Sequence, residues 1–436
     1  MSSYKRRPSP GNTEWFVHDR FGMFIHFGLY AAAARHEWVQ SKEQIAPDDY
    51  KKYFDHFNPD LFSAEEWAKK AKAAGMKYVV LTAKHHEGFC LFDSQYTDYK
   101  ITNTPFGRDL VKEYVEAFRA QGLKVGFYYS LIDWHHPHFT VDRHHPLKNR
   151  PDIAEINKER DIKIYAEYMR NQVTELLSNY GKIDILWFDF SYGDDKNQPN
   201  EELQKGKSWK EWESKELISI ARSLQPGIII DNRAGIEQDL WTPEQIQIED
   251  WVRHGETGEL VTWEACHTFS ESWGYYRDEY TWKSTEQLIA LLIKNVSLGG
   301  NLLMNVGPTA RGCFDERANK ALDGFADWMK YNSRSIYGCT MAEPEFTAPD
   351  GCRLTQSEDG KRLYIHLLEY PYKTLRMPCL DGRVEYAQFL HDASEVIYHS
   401  YANFYYAGVR DCFTLPIVKP NTTVPVIEVF LKEKDV

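Results

Sequence analysis

The sequence predicts an α/β fold: a (β/α)8 barrel followed by a small C-terminal antiparallel β-sandwich. Three observations carry that prediction. From about residue 20 to 335, eight short apolar runs alternate with amphipathic helical segments, the order of repeated βα units. The runs are nearly continuous in apolar residues, as parallel strands covered on both faces are. Past Gly338 the helical period gives way to short alternating segments with turn signals. A doubly wound open sheet would carry a Gly-rich turn after its first strand, and no GxGxxG occurs in the chain. The predicted domains are residues 1–337 for the barrel and 338–436 for the sandwich.

The elements follow in order. GMFIHFG (22–28) is the first strand, and Ser63-Ala-Glu-Glu66 is a capping box opening a helix that Gly75 closes. KYVVLTAKHH (77–86) is a buried strand with a polar end. Asp109 caps a helix carrying Leu110, Val111, Tyr114, Val115 and Phe118 on one face, closed by Gly122. KVGFYYS (124–130), a His-rich loop, a long helix over 157–180 and the strand KIDILWFDF (182–190) come next. A helix over 214–224 leads to GIIIDNR (227–233); IQIED (246–250) and TWEACHTF (262–269) read as strands six and seven. Ser284 with Gln287 opens a helix ending near Gly299, NLLMNVGP (301–308) is strand eight, and 315–332 is the last helix. The sandwich segments are 352–370, RVEYAQFL (383–390), SEVIYHS (394–400) and VPVIEVFLKEK (424–434).

Composition narrows the function. The 436 residues include 52 basic against 64 acidic side chains, a net charge of -12, which argues against a nucleic-acid or anionic-membrane partner. Seven scattered cysteines with no CxxC argue against a structural zinc site and for a reducing compartment. The N-terminal stretch lacks the apolar core of a secretory signal, and no run of 18 apolar residues exists, so a cytoplasmic protein is expected. The composition is compatible with a homo-oligomer as well as a monomer.

In a (β/α)8 barrel the C-terminal strand ends form the active site. Here those ends carry His26; Lys84, His85, His86 and Glu87; Tyr128, Tyr129 and Ser130; Trp187, Phe188 and Asp189; Asp231, Asn232 and Arg233; Glu249 and Asp250; Trp263 and Glu264, with Trp273 beyond; and Asn305. One such group alone is more often a cap or a packing residue; five or more converging on one rim point to chemistry. Acyl transfer lacks a GxSxG elbow. Gly206-Lys207-Ser208 lacks the first Gly of a phosphate loop. A metal site in the loop of His135, His136, His138, His144 and His145 is the weaker alternative, because barrel metallohydrolases place HxH at the end of strand one, where this chain has His26-Phe27-Gly28. Glycoside hydrolysis needs two carboxyl groups, donors for hydroxyls and an aromatic face, and this rim offers all three.

The ordered motifs WFVHDRFGMFIHFGLY, EWV, HHEGFCLFDSQYTDY, VGFYYSLIDWHHP, ILWFDF, IIIDNR, TPEQ, WEACHTFSESWGY and GGNLLMNVGP span roughly residues 15–310. In these the chain resembles the α-L-fucosidases of glycoside hydrolase family 29. The resemblance implies a retaining exo-α-L-fucosidase acting on fucosylated oligosaccharides or glycoconjugates, with no cofactor and no metal. It puts the nucleophile at Asp189 and the acid/base best at Glu244, with Glu237, Glu249, Glu264 and Glu271 as rivals. It implies sugar-binding roles for His26, Glu37, Trp38, His85, His86, Trp187 and Arg233, for Tyr129 or its neighbour Tyr128, and for Trp273 as a wall. Phe190 stands where many members have Gly, a departure expected to alter the turn after Asp189. Other readings of the same pocket are an α-L-galactosidase and a non-catalytic fucose-binding protein.

Overall fold

The structure, a computed structural model, describes residues 5–380, 382–400 and 410–433. Strands β1 (Phe21–Ile25), β2 (Tyr78–Lys84), β3 (Lys124–Ser130), β4 (Ile185–Asp189), β5 (Ile229–Ile230), β6 (Glu264–Thr268) and β7 (Asn301–Val306) form one parallel sheet in the order β5-β4-β3-β2-β1-β7-β6. The predicted caps form: Ser63 Oγ accepts from Glu66 N, only half of the expected box because the Glu66 carboxylate pairs with Lys69, Asp109 Oδ1 accepts from Lys112 N, and Ser284 and Gln287 form a reciprocal capping box.

The expected sixth strand is not where the sequence puts it. Residues 246–250 form no strand, and Ile246 is exposed. The gap between β5 and β6 is bridged instead by 240–244, through the parallel pairs Asp231 with Leu240, Trp241 with Trp263, and Glu244 with Cys266. Pro243 donates no backbone hydrogen bond, so this segment makes isolated bridges rather than a regular ladder. It nonetheless closes the curled sheet and carries Glu244 at its far end.

Because strand side chains alternate, every second residue points inward. Phe24, Val80, Tyr128, Ile185, Trp187, Leu240, Cys266 and Leu303 fill the barrel, and Phe16 plugs its floor from the helix Glu14–Asp19. The opposite parity packs under the helices in the larger core.

The helix predicted over 157–180 is two helices, Ile153–Lys158 and Ile162–Asn179. Asp161 breaks the run by accepting the Lys163 N–H at 2.9 Å as an N-cap.

The last barrel helix ends at Asn332, and β8 (Cys339–Met341) begins the C-terminal part. With β9 (Cys352–Ser357), β10 (Arg362–Leu367), β11 (Thr374–Arg376), β12 (Val384–Phe389), β13 (Tyr398–His399), β14 (Cys412–Thr414) and β15 (Val426–Leu431), it forms sheets ordered β12-β15-β10-β9-β8 and β11-β14-β13. Leu354, Ile365, Leu375, Phe389, Phe413 and Ile427, drawn from both sheets, share one core. Buried Arg20 ties the two parts together, donating to the carbonyls of Gly299 (2.7 Å) and Cys339 (2.9 Å). No helix among the described residues is long and apolar enough to cross a membrane.

Candidate active site

The inward positions at the C-terminal strand ends meet in a cleft that is open to solvent. Its lining includes His26, Glu37, Trp38, His85, His86, Trp187, Asp189, Arg233, Glu244 and Trp273, all expected from the sequence. It also includes Tyr128, Phe24, Phe190 and Cys266. Tyr129 is not among them. It points outward from β3, where its hydroxyl donates to Gln172 at 2.8 Å and its ring lies 4.4 Å from the Lys84 ammonium. Phe24 and Cys266 were legible only as every-second-residue partners of His26 and Glu264, once the parity of each strand is known.

Asp189, the last residue of β4, accepts the Tyr128 hydroxyl on Oδ2 at 2.9 Å and Arg233 Nη1 on Oδ1 at 2.9 Å. Burial opposes its charge, but the Arg233 guanidinium and the Tyr128 hydrogen bond hold the carboxyl below its ordinary value. The same Nη1 donates to Glu244 Oε2 at 2.6 Å. Since one nitrogen sits 2.9 Å from the Asp189 oxygen and 2.6 Å from the Glu244 oxygen, those oxygens are at most 5.5 Å apart. The Glu244 side chain is 41% exposed against 13% for Asp189, so water reaches Glu244 more freely. Arg233 is itself fixed by Thr242, to Oγ1 (2.9 Å) and the carbonyl (3.0 Å), and lies 4.5 Å over the Trp187 ring.

The rival glutamates lie elsewhere. Glu237 pairs with Arg7 on the surface, Glu249 lines a groove against the C-terminal part, and Glu271 is exposed. Trp263 and Glu264, expected on the rim, sit at the opposite end: Glu264 begins β6 and is fully buried on the barrel floor.

The imidazoles are set as neutral acceptors. Asn305 Nδ2 donates to the Trp273 carbonyl (2.7 Å), so its Oδ1 accepts from His26 Nδ1–H at 2.6 Å, leaving His26 Nε2 a lone pair. Ser130 spends its hydroxyl proton on the Ile132 carbonyl (2.6 Å), so His86 Nδ1–H donates to Ser130 Oγ at 2.7 Å and its Nε2 is likewise an acceptor. Buried His85 Nδ1 has no partner among the described residues. Burial holds His26 down to about 4 and His86 to about 3. Burial alone would raise Glu37, but the His36 imidazole and the Gly274 N–H hold it down to about 2. Glu37 Oε2 accepts from the N–H groups of Trp273 (3.1 Å) and Gly274 (2.9 Å). Only glycine fits at 274, where a Cβ would lie 2.7 Å from the Tyr30 ring.

Phe190 takes φ +79°, the left-handed region that favours glycine, and its ring meets Trp38 (5.1 Å), His86 (4.8 Å) and His144 (5.0 Å). Gly in a strand or helix usually costs about 1 kcal/mol relative to Ala, and a positive φ reverses that order. Phe190→Gly is therefore expected to melt no lower than Phe190→Ala; a clearly lower midpoint would contradict it.

The loop histidines serve local structure. His136 Nδ1 accepts from His138 N (3.2 Å), His138 Nδ1 from Asp161 N (3.2 Å) and His145 Nδ1 from Leu147 N (3.0 Å), while His135 stacks on Tyr99 at 3.8 Å. Among the described residues no group of three or more His, Cys, Asp or Glu could hold a metal ion.

Burial of these groups makes stability pH-dependent. Desolvation holds His26 at about 4 and His86, His145 and His366 at about 3, against about 6.5 unfolded. It raises Glu87 and Glu264 to about 7, against about 4.3 unfolded. Between about pH 4.5 and 6.5 the unfolded chain binds protons on these histidines, and on His136, His144 and His267, which burial holds at about 4, while the fold keeps protons on Glu87, Glu264 and Asp231 that the unfolded chain has released. The histidines win, so unfolding takes up protons and stability falls on acidification, by roughly 1.4 kcal/mol per pH unit for each net proton. Calorimetry should find the melting midpoint several degrees lower at pH 5 than at 6.5; a rise would mean that the buried, proton-holding carboxyls dominate.

Comparison with known proteins gives the family. Residues 2–334 match the α-L-fucosidase family. The chain is 43% identical to α-L-fucosidase isoenzyme 1 of Paenibacillus thiaminolyticus, whose structure is solved, with a TM-score of 0.88, covering 97% of this chain and 99% of that one. It is 29% identical over 392 residues to human plasma α-L-fucosidase, covering 82% of this chain and 76% of the relative. A family 29 α-L-fucosidase of Bacteroides thetaiotaomicron, solved as a trapped covalent intermediate with 2-fluoro-fucosyl fluoride, matches at 26% identity and TM-score 0.81 over 99% of this chain and 98% of that one. This chain belongs to the α-L-fucosidase family, glycoside hydrolase family 29.

Proposed function

We propose that this protein is a retaining exo-α-L-fucosidase in which Asp189 is the nucleophile and Glu244 the acid/base. The observation that carries the reading is the shared Arg233 nitrogen, which keeps the two carboxylates within 5.5 Å. Retaining enzymes separate these groups by about 5–5.5 Å, whereas inverting ones leave about 6.5–9.5 Å for a water.

An oxygen of Asp189 attacks the anomeric carbon as the bond to the leaving oxygen breaks, and Glu244 gives that oxygen its proton. The product is a β-fucosyl ester of Asp189. Water then gives a proton to Glu244 and attacks the same carbon, expelling the Asp189 carboxylate and yielding α-L-fucose. Arg233 and Tyr128 keep Asp189 ionised and ready to attack. The Nε2 acceptors of His26 and His86, with the Glu37 carboxylate, are disposed to receive sugar hydroxyl protons. Phe24 and Trp273, whose rings stand 6.0 Å apart, offer apolar surface to the ring carbons and the methyl group. The site lies in a single cleft at the strand ends, which supports exo action on a terminal fucose of oligosaccharides or glycoconjugates.

The test is release of 4-nitrophenol from 4-nitrophenyl α-L-fucoside, followed by proton NMR of the sugar. The α anomer should form first, at a rate unchanged by a chelator. First formation of the β anomer would refute retention. Preference for the α-L-galactoside would move the substrate assignment.

A further inference from the structure

We propose that Glu264, from the floor of the barrel, is a positioning residue for this reaction: it fixes the Trp187 indole against which both side-chain donors of Asp189 rest. The proposal rests on the reading of Asp189 as nucleophile.

Glu264 is fully buried, and its partners Tyr78 and Trp187 belong to the barrel-interior cluster with Phe16, Val80, Ile185 and Leu303, whose side chains are hydrocarbon. A carboxyl group there is costly unless both oxygens are bonded, and a hydrocarbon would fill the space more cheaply. Both oxygens are bonded, to different strands. Oε1 accepts the hydroxyl of Tyr78 on β2, which Asn301 Nδ2 of β7 approaches at 3.2 Å. Oε2 accepts the indole N–H of Trp187 on β4 at 3.3 Å. The carboxyl thus sets the rotation of the Trp187 ring, which apolar packing alone would hold less narrowly.

That ring is the support of the nucleophile's donors. The Arg233 guanidinium lies 4.5 Å over one part of it, and Tyr128 stacks on it at 6.1 Å with 23° between the planes. Arg233 and Tyr128 are the two side chains that donate to Asp189. Tilting the indole would therefore move both donors at once. The sugar-facing groups take their anchors elsewhere, His26 from Asn305, His86 from Ser130 and Glu37 from the Trp273 and Gly274 N–H groups. Losing Glu264 should accordingly lower kcat and spare KM.

The test measures kcat and KM on 4-nitrophenyl α-L-fucoside for Glu264→Leu and Glu264→Gln, each alone and combined with Trp187→Phe, with Asp189→Gly and azide run in parallel. Glu264→Leu should lose about tenfold in kcat with KM within about twofold, since misplaced catalytic groups cost rate rather than binding. Glu264→Gln, whose amide oxygen still accepts the indole N–H, should recover most of that loss. In the Trp187→Phe background, where no N–H remains to hold, Glu264→Leu should cost little more. A wild-type kcat in Glu264→Leu, or the same loss in both backgrounds, would overturn the proposal. If Glu264→Leu does not fold, Trp187→Phe decides alone: a kcat-selective loss supports the proposal and a wild-type kcat overturns it. Undiminished turnover by Asp189→Gly would instead sink the nucleophile assignment; an inert, azide-rescued Asp189→Gly beside unaffected Glu264 variants would sink only the positioning role.

Discussion

Asp189→Gly is expected to lose on the order of 10⁵-fold in kcat on 4-nitrophenyl α-L-fucoside while keeping its fold, the scale seen when a covalent nucleophile is deleted. The argument is local. Asp189 is the last residue of β4, its side chain lines the cleft rather than the core, and Arg233 keeps Glu244 and Thr242 when the carboxylate is removed. Removing the carboxylate leaves a gap lined by the Arg233 and Tyr128 donors, which a small anion such as azide fits. Azide should restore turnover and give β-fucosyl azide, the inverted product, because it attacks from the side that Asp189 occupied. A variant turning over at wild-type rate, or one whose azide product is the α anomer, would refute the assignment.

Glu244→Ala should behave differently, and the difference identifies the acid/base. General acid catalysis is worth about 10²–10⁴-fold, and most of it is needed for poor leaving groups. The loss should therefore be large on a fucosylated oligosaccharide and small for glycosylation by the aryl fucoside, whose phenolate leaves without a proton. Azide should rescue the second step with retention, giving α-fucosyl azide from the intact fucosyl-enzyme. Equal losses on both substrates would move the acid/base to another group. The same substitution removes one of the two carboxylates on Arg233 Nη1, leaving that nitrogen to Asp189 alone.

Much of the barrel was legible in the sequence because strands buried on both faces must be almost wholly apolar, and runs such as VVLTA and ILWF admit few other readings. The closing segment was not. Residues 240–244 contain Pro243 and a polar parity that faces the cleft, so they lack a strand's pattern, while IQIED has that pattern without the pairing. The helix break at Asp161 was hidden because a cap inside a helical period looks like one more polar position.

At the site, residue types were readable and parity was not. Tyr128 and Tyr129 are adjacent and chemically identical, and only the pairing of β3 decides that Tyr128 faces Asp189. Glu264 and Glu244 raise the same difficulty along the strand axis. Both are inward carboxyl groups on neighbouring segments, but Glu264 begins its strand and lies on the floor, whereas Glu244 ends its segment at the rim. A one-dimensional pattern carries the period of a strand but not its direction relative to the pocket. The donors that tune Asp189 come from two other strand ends, contacts 44 and 61 residues away in sequence.

The most direct measurement is peptide mapping by mass spectrometry after incubation with 2-fluoro-fucosyl fluoride, which lets the fucosyl-enzyme form and slows its hydrolysis. One fluorofucosyl group on the peptide carrying Asp189, absent from Asp189→Gly, is the predicted result. A label on Glu244, Glu37 or any other carboxylate, or turnover with inversion and no adduct, would contradict it.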